Sequence, residues 1–97
     1  MSTQEYINFL QRGIIVHSYL YYEADKSVIS DKDYDTKARE LVSYKNAYPE
    51  LWKNSEYYKQ FGDQYNGATG FTLYQDLNGK QQEIIRAIAR SILLKYH

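Results

Sequence analysis

Apolar side chains recur every three or four positions through the first part of the chain, which is the period of an amphipathic helix. This pattern predicts a helix over Thr3–Tyr22. The residues of its predicted apolar face are Tyr6, Phe9, Leu10, Gly13, Ile14, His17, Leu20 and Tyr21. Glycine inside a helix costs about 1 kcal/mol relative to alanine, so we interpret Gly13 as a close packing contact.

A second helix is predicted over Asp31–Ala47, after a short polar connection. Ser30 is a good N-cap residue, because its side-chain oxygen can accept a hydrogen bond from a free backbone N–H. Asp31 and Asp33 then lie in the first turn, where the helix dipole favours negative charge. Pro49 ends the helix, because the residue before a proline avoids the helical region.

The rest of the chain has weaker signals, and no stretch alternates as a strand would. We expect a short turn at residues 49–52, a short helix capped by Asn54 or Ser55, a glycine-containing loop at 62–70, a short helix at 71–77 and a long helix at 80–96. The last helix carries one apolar face, formed by Ile84, Ile85, Ile88, Ile92 and Leu93.

These elements predict one small all-α domain over residues 1–97. Residues 1–52 form a helical hairpin, and residues 53–97 form a helical extension. The C-terminal helix is expected to pack across the hairpin.

Composition narrows the classes of function. The chain has 12 basic and 12 acidic residues, and this balance argues against direct binding of nucleic acid. It has no cysteine, which excludes disulfides, thiolate zinc sites and a cysteine nucleophile. No signal peptide and no apolar run long enough to span a membrane is visible. We therefore expect a cytoplasmic protein that makes no membrane contact.

One group of residues has the character of a binding site. Asp31, Tyr34 and Asp35 share one face of the second helix, and Tyr21 and Tyr22 end the first. If the two helices form a hairpin, these five side chains converge. Aromatic faces attract a cationic ring, and carboxylates accept hydrogen bonds from an amide or ribose hydroxyls. The alternative is that these are ordinary half-buried tyrosines and dipole-pairing acids.

A family resemblance bears on that choice. The stretch from His17 to Leu51 reads HSYLYYEADKSVISDKDYDTKARELVSYKNAYPEL. It resembles the N-terminal domain, called Ia, of NAD-dependent DNA ligases. That domain has a tyrosine pair, an acid, I-S-D-x-E-Y-D, R-E-L and P-E-L. The corresponding elements here are Tyr21-Tyr22, Asp25, residues 29–35, residues 39–41 and residues 49–51.

The resemblance implies a ligand. In that family the Ia domain binds the nicotinamide mononucleotide (NMN) half of NAD. By position, the residues that contact nicotinamide correspond to Tyr21, Tyr22, Asp31, Tyr34 and Asp35. The resemblance therefore favours a nicotinamide-nucleotide site over simple packing.

The chain also departs from the family pattern. Ser27 stands where proline is usual, and Lys37 and Ala38 stand where larger apolar residues are common. No K-x-D-G adenylation motif is present, and the ligases' zinc-binding cysteines are absent. We therefore do not expect ligation from these residues by themselves. Some short proteins of phages and mobile elements are similar to this arrangement.

Two functions follow as hypotheses. The first is a non-catalytic module that binds NMN or NAD weakly. It is preferred to an enzyme that acts on a nicotinamide nucleotide, because nothing marks one carboxylate as acid and another as base. The second is a protein–protein interaction module that inhibits or adapts a host enzyme and uses the ligase-like fold as a scaffold. No catalytic residue and no metal site is predicted. His17 could border the nicotinamide pocket, or it could be a helix-packing residue.

Overall fold

A computed structural model describes residues 1–26, 28–67 and 72–95, and every regular element in these ranges is a helix. The helices are α1 (Thr3–Tyr22), α2 (Asp31–Ala47), α3 (Pro49–Lys53), α4 (Tyr58–Phe61) and α5 (Gly79–Lys95). The predicted all-α class is confirmed, and the two N-terminal helices have their predicted bounds. The departure at Ser27 lies outside the described residues.

Local capping explains why the two long N-terminal helices begin where they do. The Ser2 Oγ atom accepts a hydrogen bond from the Glu5 N–H at 3.1 Å, and Glu5 Oε1 accepts one from the Ser2 N–H at 3.0 Å. This reciprocal pair is a capping box, which satisfies two backbone donors at the helix start. At α2, the predicted cap is confirmed, since Ser30 Oγ accepts from the Asp33 N–H at 3.0 Å.

The central element is α1, which packs against α2, α3 and α5. Its buried residues occupy almost every side of the helix: Ile7, Leu10, Gln11, Ile14, Ile15, Val16, Ser18 and Leu20. The predicted single apolar face was therefore too narrow. It was also wrong at Phe9 and Tyr21, whose side chains are 52% and 51% exposed.

Polar side chains on α1 hold the segment that follows α2. Gln4 Nε2 donates to the Leu51 carbonyl at 3.0 Å, and Asn8 Oδ1 accepts from the Glu56 N–H at 3.0 Å. The fully buried Gln11 accepts from the Tyr57 N–H at 3.1 Å. These three side chains follow helical spacing, so one stripe of α1 supplies partners for a backbone with little regular structure of its own.

An aromatic cluster fills the space beyond α3. The Trp52 ring packs edge-on against Phe61 at 5.9 Å and is stacked with Tyr65 at 6.1 Å. The Trp52 Nε1–H donates to the Gly62 carbonyl at 3.0 Å, which satisfies the buried indole. The described part of the predicted 62–70 loop therefore contributes to the core through Tyr65.

Gly67 brings this loop against α2. Its φ of +83° is in the left-handed region that favours glycine. A Cβ atom at Gly67 would lie 3.5 Å from the Cβ of Ala38, which is buried. The small residue at position 38, a departure from the family pattern, thus has a packing reason in this chain.

The shorter predictions for the second half were less accurate. The predicted helix after Asn54 or Ser55 begins only at Tyr58, and its N-cap, Tyr57, makes no side-chain capping bond. Residues 72–76 form turns rather than a helix, and Phe71 lies outside the described residues.

The C-terminal helix begins one residue earlier than predicted, at Gly79. Asn78 Oδ1 accepts from the Gln81 N–H at 2.8 Å at its start. Ile85 and Ala89 are buried against α1. Ile84 was predicted on the same apolar face, and this was wrong, because its side chain is 44% exposed.

One cluster of buried side chains joins both halves of the chain. Ile14 and Leu41 from the hairpin share it with Tyr57, Leu77 and Ile85 from the later segments. None of the helices in the described ranges is long and apolar enough to cross a membrane.

Candidate functional site

Two tyrosine rings project at the end of α1. Tyr21 and Tyr22 lie edge to face, with ring centroids 4.8 Å apart and an interplanar angle of 77°. Their side chains are 51% and 46% exposed. The exposed part of such a ring is a surface on which a planar ligand can stack.

Tyr34 on α2 forms the inner side of the same region. Its hydroxyl lies 2.8 Å from the Oγ atom of the buried Ser18 on α1, so a hydrogen bond joins the two helices here. Burial raises the pKa of the Tyr34 hydroxyl. The Ser18 bond opposes this pKa shift, while the nearby Tyr22 hydroxyl and Asp35 carboxylate add to it. The phenol therefore stays neutral at physiological pH.

The two predicted carboxylates are exposed on α2. Asp35 lies close enough to Tyr34 to act on its pKa, as does Tyr22. Asp31 lies one helical turn before Asp35 on the same face, a position that follows from helical spacing. The structure thus brings Tyr22, Tyr34 and Asp35 into one neighbourhood, and Tyr21 joins it through its contact with Tyr22.

The end of α1 is also held from the far half of the chain. Gln75 Nε2 donates to Glu23 Oε1 at 2.8 Å, directly after the tyrosine pair. The Tyr74 ring packs on Tyr19 with centroids 4.6 Å apart. Segment 72–77 therefore fixes the helix end that presents the tyrosines.

Sequence reasoning missed several of these neighbours. Ser18 could have been found, because it lies one turn before Tyr21 and Tyr22 on the same helix. Tyr65 approaches Tyr34 closely enough for the two hydroxyls to interact, and Gln75 reaches Glu23 across 52 residues of sequence. No local pattern marks such long-range pairs.

His17 lies on the side of α1 that faces α5. It lines a cavity together with Ile88 and Ile92, and its imidazole is half-buried. Burial, and then the charge of Lys37, lowers the pKa of His17. Within the described ranges, no group of three or more His, Cys, Asp or Glu residues is placed to hold a metal ion.

The chemistry of the site suits a flat, electron-poor ring that carries polar groups. Exposed tyrosine faces attract such a ring, at about 0.5–2 kcal/mol for a cation. Carboxylates at Asp31 and Asp35 can accept hydrogen bonds from hydroxyl or amide donors beside it. These side chains form a candidate binding site of aromatic and carboxylate groups on an all-α domain.

The N-terminal part of the chain matches a known protein family. A family model described as "DNA ligase-like, N-terminal NAD+-binding domain" matches residues 1–58, which is more than half of the chain. The chain belongs to this family. The matched region includes all five predicted site residues, from Tyr21 to Asp35.

Individual relatives each match about half of the chain. It is 40% identical to a DNA ligase of Flavobacterium johnsoniae over 52 residues, which are 54% of this chain and 8% of the ligase. It is 50% identical to a DNA ligase of Desulforudis audaxviator over 42 residues, 43% of this chain and 6% of that ligase. The chain therefore spans less than a tenth of these relatives. No solved structure matches it.

Proposed function

We propose that this chain is a non-catalytic module that binds NMN or the nicotinamide half of NAD. Tyr21, Tyr22 and Tyr34 contact the pyridinium ring in this proposal. Asp31 and Asp35 accept hydrogen bonds from the carboxamide or the ribose. The observation that carries the proposal is the exposed tyrosine pair beside Tyr34 and Asp35, within the region that matches an NAD+-binding family.

The expected affinity is low. Two aromatic contacts and one or two hydrogen bonds, less the cost of ordering the ligand, correspond to a dissociation constant on the order of a millimolar. Tighter binding would require a partner that contacts the adenylate half of NAD. The match covers only 8% of the Flavobacterium ligase, so the surface that contacts the adenylate half can lie in the rest of such a protein.

A proton–nitrogen NMR titration tests the proposal. NMN and NAD should shift the backbone amides of Tyr21, Tyr22 and residues 31–35, and AMP should not. If NMN at several millimolar shifts none of these amides, the proposed site is wrong for the isolated chain.

Matched variants separate the site from the fold. Tyr21→Ala and Asp35→Asn should abolish the NMN shifts. Tyr48→Ala and Asp33→Asn should not, because Tyr48 lies at the opposite end of α2 and Asp33 on its opposite face. All four side chains are exposed, so each variant should keep the unfolding midpoint of the parent. Equal NMN binding by all four variants would contradict the site assignment.

A second candidate function rests on a different surface. An aromatic row runs across α1 and α2, with Tyr6 stacked on Phe9 at 6.1 Å, Tyr6 against Tyr44 at 5.3 Å and Tyr44 stacked on Tyr48 at 5.9 Å. Phe9 and Tyr48 are exposed, and tyrosine is enriched at protein-binding hot spots. In this alternative the ligase-like fold is a scaffold for contact with a host enzyme, as an inhibitor or adaptor of the phage type.

The alternative makes its own prediction. A host-cell protein captured by the immobilised chain should be lost when Phe9 and Tyr48 are both replaced by serine, and should persist in the Tyr21→Ala variant. Capture that survives the double replacement, or that needs Tyr21 instead, would argue against this surface.

A further inference from the structure

A cavity of about 300 Å³ opens between α1 and α5, away from the tyrosine pair. Ile14 and Val16, whose side chains are only 1% exposed, line the cavity from α1. Ile88 and Ile92 line it from α5. The volume is at the lower end of the range for small-molecule sites, so the cavity suits a ligand of modest size.

Gly13 keeps this cavity open. It is in the middle of α1, and a Cβ atom built on it would meet nothing within 4 Å. Glycine is unfavourable at such a position, and here no packed neighbour or turn requires it. The missing side chain leaves room for an apolar group to approach the helix backbone.

Cationic groups border the same cavity. Arg12 is already paired with Glu56, at 3.3 Å. Lys37 is exposed and has no ionic partner among the described residues. The half-buried His17 also lines the cavity, and its Nδ1 atom has no hydrogen-bond partner there. Because burial and Lys37 keep this imidazole neutral at physiological pH, the available positive charge is that of Lys37.

We propose that this cavity is a second ligand site, and that it takes a small amphipathic carboxylate. The hydrocarbon part lies over Gly13 and against Ile88 and Ile92, and the carboxylate faces Lys37. The apolar walls and the single unpaired cation at the rim are complementary to this class of ligand. The site is separate from the nicotinamide site and does not depend on it.

Octanoate is a suitable probe, with octanol and octylamine as neutral and cationic analogues of the same chain length. In proton–nitrogen NMR titrations, octanoate should shift the amides of Gly13 and Ile88 and the ring protons of His17. Octanoate should bind more tightly than octanol, because only octanoate has a carboxylate that can pair with Lys37. Octylamine should bind more weakly than either, because its positive charge is repelled by Lys37. Amides of Tyr21 and Tyr22 should not move.

Variants test the two halves of the proposed contact. Lys37→Gln should weaken octanoate binding by several-fold, as expected for an exposed ion pair, and leave octanol unchanged. Lys45→Gln, on the same helix but outside the cavity, is the matched control. Gly13→Leu should abolish binding of both probes because its side chain fills the cavity. Gly13→Ala should weaken binding of both if the leucine variant does not fold.

Three results would overturn the proposal. The first is no shift at several millimolar octanoate, as expected if only a protein segment can fill the cavity. The second is equal binding of octanoate and octanol that Lys37→Gln does not change. The third is octanoate binding that survives in the folded Gly13→Leu variant. The NMN titration follows other amides. A negative result with octanoate therefore leaves the nicotinamide proposal unaffected, and a negative result with NMN leaves the carboxylate proposal unaffected.

Discussion

A methyl group added at Gly13 would enter open space, whereas one added at Gly67 would meet Ala38 and Val42 on a backbone with φ of +83°. The two glycines therefore have opposite roles. Our interpretation of Gly13 as a close packing contact was wrong, because helical spacing shows which face a residue occupies but not whether that face is covered.

This difference predicts opposite effects of alanine. Gly13→Ala should stabilise the fold by up to about 1 kcal/mol, because alanine is the better helix former and nothing obstructs it. Gly67→Ala should destabilise it by about 1 kcal/mol or more, because alanine is strained at positive φ. Urea unfolding of the two variants beside the parent measures both. A loss of stability in Gly13→Ala would show that the space beside it is filled.

His17 gives the fold a pH dependence. Burial first, and then the charge of Lys37, lowers its pKa in the folded state below the ordinary histidine value of about 6.5. As the pH falls below that value, the unfolded chain binds the proton more readily, so stability decreases until the pH is below the folded pKa. Arg12 also lines the cavity beside it, but its guanidinium is paired with Glu56 at 3.3 Å.

The test compares urea midpoints at about pH 7.5 and about pH 5.5 in the parent and in His17→Leu. The parent should lose stability at the lower pH, and the variant should lose less. Most carboxylates stay ionised over this range, so they contribute little to the difference. The same pH dependence in both proteins would exclude His17 as its source.

At the scale of the helix, local sequence was sufficient for α1 and α2. Their start signals act within four residues: Ser30 with Asp33 was predicted from the sequence, and Ser2 with Glu5 was found in the structure. α4 was harder, because a helix of four residues has no stability of its own and is set by its packing. Residues 72–76 form turns for a similar reason, since Leu73 and Leu77 are held by the core.

Gln11 is the polar residue that joins these elements. Its side chain donates to Ser55 Oγ at 2.8 Å and accepts from the Tyr57 N–H at 3.1 Å, entirely out of solvent. Gln11→Ala should cost about 2–4 kcal/mol, because it leaves a buried N–H unpaired and opens a cavity. Gln4→Ala removes a half-buried bond to the Leu51 carbonyl and a longer one to Asn8, and it should cost about 1 kcal/mol.

Thermal or urea unfolding measures the loss of stability in both variants. Hydrogen exchange shows which backbone amides become less protected. The Tyr57 amide should lose protection in Gln11→Ala and keep it in Gln4→Ala. Equal costs for the two variants would mean that the fully buried hydrogen bonds of Gln11 contribute no more stability than the half-buried bonds of Gln4.

At the scale of the whole molecule, α1 is covered from several directions by segments distant in sequence. The five proposed site residues were chosen from motif and spacing, and they remain a prediction. Their setting could not, because Ser18, Tyr65 and Gln75 reach the site only through the tertiary fold. The position of α5 against α1 was predicted from its apolar stripe, but the cavity between them has no sequence signal.

The family-matched region should not fold alone. A fragment of residues 1–58 lacks Phe61, Tyr65, Leu77 and Ile85, all of which are buried in the shared core. Removing side chains of this size costs about 2–5 kcal/mol each, so the loss of all four costs roughly 8–20 kcal/mol, which is as large as the whole stability of a small domain. Circular dichroism should show little helix in the fragment and a cooperative transition in the full chain. A cooperatively unfolding fragment would show that the hairpin is an independent unit.

The contact of Gly67 with Ala38 has a consequence for chimeras built between this chain and its relatives. The volume that a larger residue at position 38 would fill is taken here by the backbone of a loop from outside the family-matched region. Transplanting α2 from a ligase would therefore bring a side chain and a loop into the same space. The second helix and the loop at Gly67 can be exchanged only as a pair, so modularity in this fold follows spatial contacts rather than the boundary of the family match.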